Sequence, residues 1–245
     1  MSQSTELVIV NKDQFHADLK EARTQTFVPI KHPHLKHVIL DMDETLLTGD
    51  GFRKIHARPG LPLFLHFCFT NFDTVSIWTA ASRDWLNLAL HLILNPCLPK
   101  GCSFYLKWSG ERCVRVPDYH AIENGEYYVR TRNIKSLKKV WSRGSNRNLP
   151  LSALEEQNER QPTARLTREN TIIIDDTPST FERNKGNAIQ IPEFNGSIAD
   201  SWLQSLAEYL SSTIIHSSHK YGRSNIFDFS SSSTLELNLL KLYNF

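Results

Sequence analysis

The sequence predicts an α/β fold, a central parallel sheet flanked by helices, and three observations carry that prediction. Short β-branched apolar runs alternate with helical stretches along the 245 residues. Two of these runs end in paired carboxylates, in ILDMDE at 39–44 and in TIIIDD at 171–176. Open α/β sheets gather ligands at the carboxyl ends of their strands. The length suits one core. Hydrophobic residues at 40%, with only 10 Gly and 11 Pro, exclude a low-complexity or collagen-like chain.

Strands are expected at Val38–Leu40, Val75–Trp78, Ser103–Leu106, Thr171–Ile174 and Ala188–Ile191. The first two are joined by RPGLPLFLHFCFTN, where Pro59 and Pro62 suit the first turn of a helix and Leu61, Leu65 and Cys68 or Phe69 recur at helical spacing. After the second strand, Ser82 can cap a helix running through WLNLALHLIL to Asn95, stopped by Pro96. Residues 109–134 read as a small hairpin. Residues 143–168 read as an exposed polar insertion in which Leu149, Leu151 and Leu154 can form one amphipathic turn. Ile198–Leu210 has helical periodicity, a serine-rich stretch follows, and TLELNLLKLYNF turns apolar again, either docking or presenting an interaction segment.

Charge excludes some classes of partner. Twenty-eight Lys and Arg against 26 Asp and Glu give +2, too even for direct nucleic-acid binding. Cys68, Cys97, Cys102 and Cys113 are irregularly spaced, and His32, His34 and His37 lack a partner motif, so both sets read as packing or surface residues. No apolar run approaches the ~20 residues of a membrane span. MSQSTELVIVNKDQ lacks the order of a secretory signal peptide, so a cytoplasmic or nuclear location is expected.

The chemistry concentrates at the two strand ends. Asp41 and Asp43 lie two apart and share a face as the first strand ends; Asp175 and Asp176 end another. If those strands are neighbours, three or four carboxylates converge, a costly cluster without a cation because like charges and burial both disfavour ionisation. Magnesium is hard, takes oxygen ligands and suits such a set. The plainer alternative is two solvated acidic loops.

ILDMDETLL resembles the first motif of the haloacid-dehalogenase (HAD) superfamily of phosphotransferases. Glu44, in place of the usual Gly after the second Asp, is similar to its small C-terminal-domain phosphatase-like (FCP/SCP, NIF-domain, DxDxT) branch, as are Arg58-Pro59-Gly60 and Trp108-x₄-Cys113. SIWTAAS resembles the second motif through Thr79, KSLKKVW the third through Lys135 (Lys138 as the alternative), and IIIDDTP the fourth. The motifs fall in family order over about 36–210, departing in the long insertion before Asp175 and in YYVRTRNIK.

The resemblance implies a HAD-like Rossmannoid fold without a cap, carrying a small flap and a β-hairpin insertion. It implies residues 1–35 as an N-terminal extension, 36–210 as the phosphatase domain and 211–245 as a Ser-rich tail. Asp41 would be the nucleophile and Asp43 the general acid and base. Thr45, Thr79, Ala80 and Lys135 would bind the substrate phosphate, and Mg2+ would be held by Asp41, Asp43 (through its main-chain carbonyl), Asp175 and Asp176. Without the motif order, Thr79 would read as a plain β-former and Lys135 as solvated surface.

Insertion lengths bear on the substrate. The dozen residues between Thr45 and Arg58 suffice for a flap, and those between Trp108 and Lys135 for a hairpin; neither closes over a small metabolite, so a phosphorylated protein or peptide is expected. Residues 130–168 hold ten Lys and Arg against three Glu, either a basic rim beside the phosphate site or a solvated face. The expected protein is a monomeric, magnesium-dependent phosphoserine/phosphothreonine phosphatase. The alternatives are a tyrosine phosphatase of the same mechanism and a non-catalytic protein-binding module on this fold.

Overall fold

A computed structural model describes residues 8–30, 35–49, 54–121, 127–142, 164–184 and 186–216. Most of the polar insertion and of the tail, together with Leu149, Leu151, Leu154, His32 and His34, lie outside the described residues. Among the described residues ten strands appear in chain order: β1 Val8–Ile9, β2 His37–Leu40, β3 Leu47–Gly49, β4 Lys54–Ala57, β5 Thr74–Trp78, β6 Lys107–Trp108, β7 Val114–Ala121, β8 Tyr127–Ile134, β9 Thr171–Asp175 and β10 Ala188–Gln190. Among the described residues the α-helices are α1 Lys12–Thr24, α2 Leu61–Asn71, α3 Arg83–Ala89, α4 Lys138–Trp141 and α5 Trp202–His216.

The central sheet is parallel throughout, in the order β10-β9-β2-β5-β6. Its three inner strands are continuous apolar runs because both faces are covered. Val38, Leu40, Val75, Ile77, Ile172 and Ile174 enter one buried cluster with α2 and α5, whereas Ile39, Trp78 and Ile173 enter another with Leu137 and Val140. Each fully buried Leu, Ile or Phe contributes about 1.5–3 kcal/mol.

The strand expected at Ser103–Leu106 is displaced to Lys107–Trp108. Tyr105 does donate its N–H to the Val75 carbonyl (2.8 Å), but Leu106 N–H goes to the Ser76 hydroxyl (3.3 Å), so the ladder closes only two residues later. The last sheet strand stops at Gln190 rather than Ile191. Ser82 caps α3 as expected, accepting from Trp85 N–H at 3.3 Å. Pro96 does not stop the chain there: α3 continues as a wider turn over Leu90–Leu94 and a tighter one over Asn95–Cys97.

At the start of α2, Pro62 sits in the first turn but Pro59 lies outside the helix. Gly60 is the N-cap with φ 76°, a left-handed angle that suits glycine. Its N–H is taken by Asp18 of α1 at 2.8 Å. The N-terminal extension is thus built into the fold: Phe15, Leu19 and Ala22 are buried, and β1 pairs with β4 beside the antiparallel β3–β4 flap. The hairpin β7–β8 pairs eight positions. At the other end, α5 runs past residue 210, where the tail was expected to start. No described helix is long and apolar enough to cross a membrane.

Candidate active site

Strand register brings the two acidic motifs together. Leu40 of β2 lies opposite Ile174 of β9, and Asp41 N–H donates to the Ile174 carbonyl at 2.9 Å, so Asp41 and Asp175 leave adjacent strands at the same level. Carboxylate oxygens of Asp41, Asp175 and Asp176, all buried, lie within 4.8 Å of one another. Of the three or four carboxylates expected to converge, three do. The Asp43 carboxylate is not in the group, which leaves its main chain as the means by which it could serve a cation.

Lys135 enters from the end of β8 and is 1% exposed. Its ammonium donates to Asp41 Oδ1 and, at 2.7 Å, to Asp175 Oδ2. The backbone of Lys135 is clamped as well, its N–H on the Thr180 carbonyl (2.6 Å) and its carbonyl on the Asn184 side-chain amide. Lys138, the alternative, is exposed on α4.

Burial first, and the charge of Asp175 as well, hold the Asp41 carboxyl well above the usual carboxylate range, against the pull of Lys135. Burial would push the Lys135 ammonium down, but Asp41 and Asp175 outweigh it and raise it above the ordinary lysine range. The Lys135 shift has the sign of an ammonium among carboxylates, and the Asp41 shift that of a carboxyl buried away from water. Three carboxylates and one ammonium leave two formal negative charges, which a divalent hard cation would neutralise with oxygen ligands already in place. The donor set fits a hard divalent cation, with Asp41, Asp175 and Asp176 as the residues that would hold it.

Thr45 joins the two motifs. Its hydroxyl lies 3.0 Å from Asp41 Oδ2 and 2.9 Å from Asp176 Oδ1, and accepts Asp176 N–H at 3.1 Å. Having one proton, it serves one carboxylate at a time. The Asp pair at the end of β9 is ordered by its own loop: Asp175 accepts from Thr177 N–H (2.9 Å) and the Thr180 hydroxyl (2.8 Å), Asp176 from the Thr177 hydroxyl (2.8 Å).

Thr79, at the end of β5, donates its hydroxyl to Asp43 Oδ2 at 2.6 Å and accepts Ala81 N–H at 2.9 Å. The other Asp43 oxygen receives the indole N–H of Trp85. Ala80 sits at the rim, its carbonyl taking an Asn133 amide proton at 3.2 Å. Gly110 is packed so close that an added Cβ would lie 2.3 Å from that carbonyl.

Sequence reasoning missed Trp85, Arg58's bonding role, Thr180 and Asn184. Trp85 did carry a signal, since it lies in the first turn of the helix that Ser82 caps, just after Thr79. The basic stretch is partly spent on structure: Arg132 pairs with Glu182 at 2.8 Å, and Lys139 donates to the Arg112 and Cys113 carbonyls. Its residues 143–163 lie outside the described residues. The cysteines are free, three of them buried, with Cys113 beneath the Thr79 carbonyl. His37 is a packed residue 3.0 Å from the Thr74 hydroxyl.

The family model described as NLI interacting factor-like phosphatase matches residues 36–221. The solved structure of Fcp1, an essential RNA polymerase II CTD phosphatase, is similar at 12% identity and a TM-score of 0.38, over 95% of this chain and 64% of that one. This chain thus spans less than two thirds of the length of that relative. No curated protein sequence matches.

Proposed function

Because the chain belongs to the NLI interacting factor-like phosphatase family, we propose that it is a magnesium-dependent phosphoprotein phosphatase acting on phosphoserine and phosphothreonine through an aspartyl-phosphate on Asp41. The observation that carries this reading is the placement of Asp41: one residue past paired strands, held by Lys135 and Thr45, beside Asp175 and Asp176.

The roles follow from that placement. An Asp41 oxygen attacks phosphorus in line as the bond to the leaving hydroxyl breaks. Asp43 gives that hydroxyl its proton, then takes one from the water that releases inorganic phosphate. Lys135, Thr45 and Thr79 would turn donors to the phosphoryl oxygens in place of their present carboxylate partners. A bound magnesium would add charge stabilisation of several kcal/mol and ease the approach of one anion to another.

Short excursions at the two insertion points support a protein substrate. The described residues between Thr45 and Arg58 form only β3 and β4, and those between Trp108 and Lys135 only a short turn and the β7–β8 hairpin.

The test is hydrolysis of p-nitrophenyl phosphate with and without magnesium, in wild type and Asp41→Asn, followed by phosphoserine, phosphothreonine and phosphotyrosine peptides. Activity is expected to need magnesium, to stop with chelator and to disappear in the variant. Persistent activity in Asp41→Asn would overturn the nucleophile assignment, and preference for phosphotyrosine or a free sugar phosphate would overturn the substrate class.

A further inference from the structure

The carboxylate of Asp43 is held at both oxygens by donors of different kinds. Thr79 reaches Oδ2 through a hydroxyl, which can donate or accept. Trp85 reaches Oδ1 through an indole N–H, which only donates. A protonated carboxyl oxygen is the poorer acceptor, and an indole N–H cannot reverse its role, so the oxygen facing it disfavours the acid proton. The proton therefore belongs on Oδ2, where Thr79 can turn its own hydroxyl away.

We infer that Trp85 is a positioning residue for proton transfer: its indole fixes the plane of Asp43 and assigns Oδ2 as the oxygen that protonates the leaving group. This rests on the reading of Asp43 as general acid. Trp85 suits the task because it is half-buried, packs against the core and stands in the first turn of a capped helix, so its N–H is aimed by the scaffold. In the first step, the Asp41–phosphorus bond forms and the bond from phosphorus to the leaving oxygen breaks. That oxygen takes the Oδ2 proton, and Asp43 returns to a carboxylate with Oδ1 still on the indole. In the second step, water gives its proton to Oδ2 as its oxygen bonds phosphorus and the Asp41–phosphorus bond breaks.

A leaving group that needs no proton bypasses this device. Nitrophenolate departs readily unprotonated; phenolate, the same ring without the nitro group, benefits far more from an acid. The experiment compares kcat/KM for p-nitrophenyl and phenyl phosphate in wild type, Trp85→Phe, Trp85→Tyr and Asp43→Asn. The ratio within one variant does not depend on the fraction folded, so a poorly folded sample cannot imitate the effect.

In Trp85→Phe, the p-nitrophenyl rate is expected within about threefold of wild type while the phenyl rate falls about tenfold or more, and Tyr, whose hydroxyl can donate, recovers most of it. Asp43→Asn should show the largest split, on the order of 10²–10⁴. A Trp85→Phe variant that slows both substrates equally would overturn the positioning role and leave the acid assignment standing. An Asp43→Asn variant with no split would overturn that assignment itself.

Discussion

Replacing Arg58 by methionine is expected to cost about 3–5 kcal/mol of folding stability, the range for breaking a buried ion pair from one side. Arg58 is 1% exposed and spends its guanidinium on three partners. Nε and Nη2 hold the two Asp200 oxygens, each at 2.9 Å, Nη1 holds the Thr45 carbonyl at 2.9 Å, and Nη2 also holds the Pro192 carbonyl at 2.9 Å. Methionine replaces the guanidinium over the Phe194 ring with an apolar group and leaves a largely buried carboxylate and two carbonyls without the Arg58 donors. At about 2–4 °C per kcal/mol for a chain of this size, the melting temperature should fall by about 10 °C. Asp200 also accepts Trp202 N–H at 3.0 Å, a cap that asparagine can keep. The double variant Arg58→Met/Asp200→Asn removes the stranded charge while retaining the cap, so it should be more stable than Arg58→Met alone. Thermal and urea melts of wild type, both single variants and the double one measure the coupling. Single-variant costs that simply add, or an Arg58→Met loss under about 1 kcal/mol, would refute the argument that this pair ties the Thr45 loop to the start of α5.

Two further outcomes are expected. Gly110→Ala places a Cβ 2.3 Å from the Ala80 carbonyl and 3.0 Å from that of Ala81, so it should cost about 1–3 kcal/mol in a urea melt and slow p-nitrophenyl phosphate hydrolysis by shifting the turn after Thr79. Burial holds the His37 imidazole below its ordinary range, against Asp73 and with Lys36; its stabilising effect is therefore full above the unfolded histidine value of about 6.5 and lost as pH falls through the folded one. The drop in urea midpoint between pH about 7.5 and about 5.5 should be smaller in His37→Gln, and an unchanged drop would contradict it.

The sheet was legible because its strands are buried on both faces and so stand out as apolar runs ending in carboxylates. The aspartates and Lys135 were legible for a different reason, the order of their motifs, since a lysine inside a basic run has no local feature that marks it as buried. What escaped depends on side chains returning across the fold. Asp200 reaches Arg58 over 142 residues, and Trp85 reaches Asp43 over 42. Neither has a spacing rule, because loop paths and not periodicity set those distances. The strand at 103–106 failed on a similar detail, one serine hydroxyl taking a ladder N–H.

Glu44 shows how these long-range contacts bear on the site. Glu44 has φ 60°, a left-handed angle that costs a non-glycine residue roughly 1–2 kcal/mol. Its carboxyl is also pushed up, by burial first and then by Glu193, Asp176 and Asp43. Such strain persists only where the surroundings over-determine the backbone. Here they do: Glu44 N–H is on the Leu47 carbonyl (2.7 Å), Leu46 N–H on that of Met42 (2.9 Å), Phe194 N–H on that of Glu44 (2.6 Å), and the next carbonyl, that of Thr45, is on Arg58. The turn that aims Asp41, Asp43 and Thr45 is therefore held both by its own backbone bonds and by two partners 13 and 150 residues away, so its rigidity is shared between the motif itself, Arg58 and the 192–200 segment.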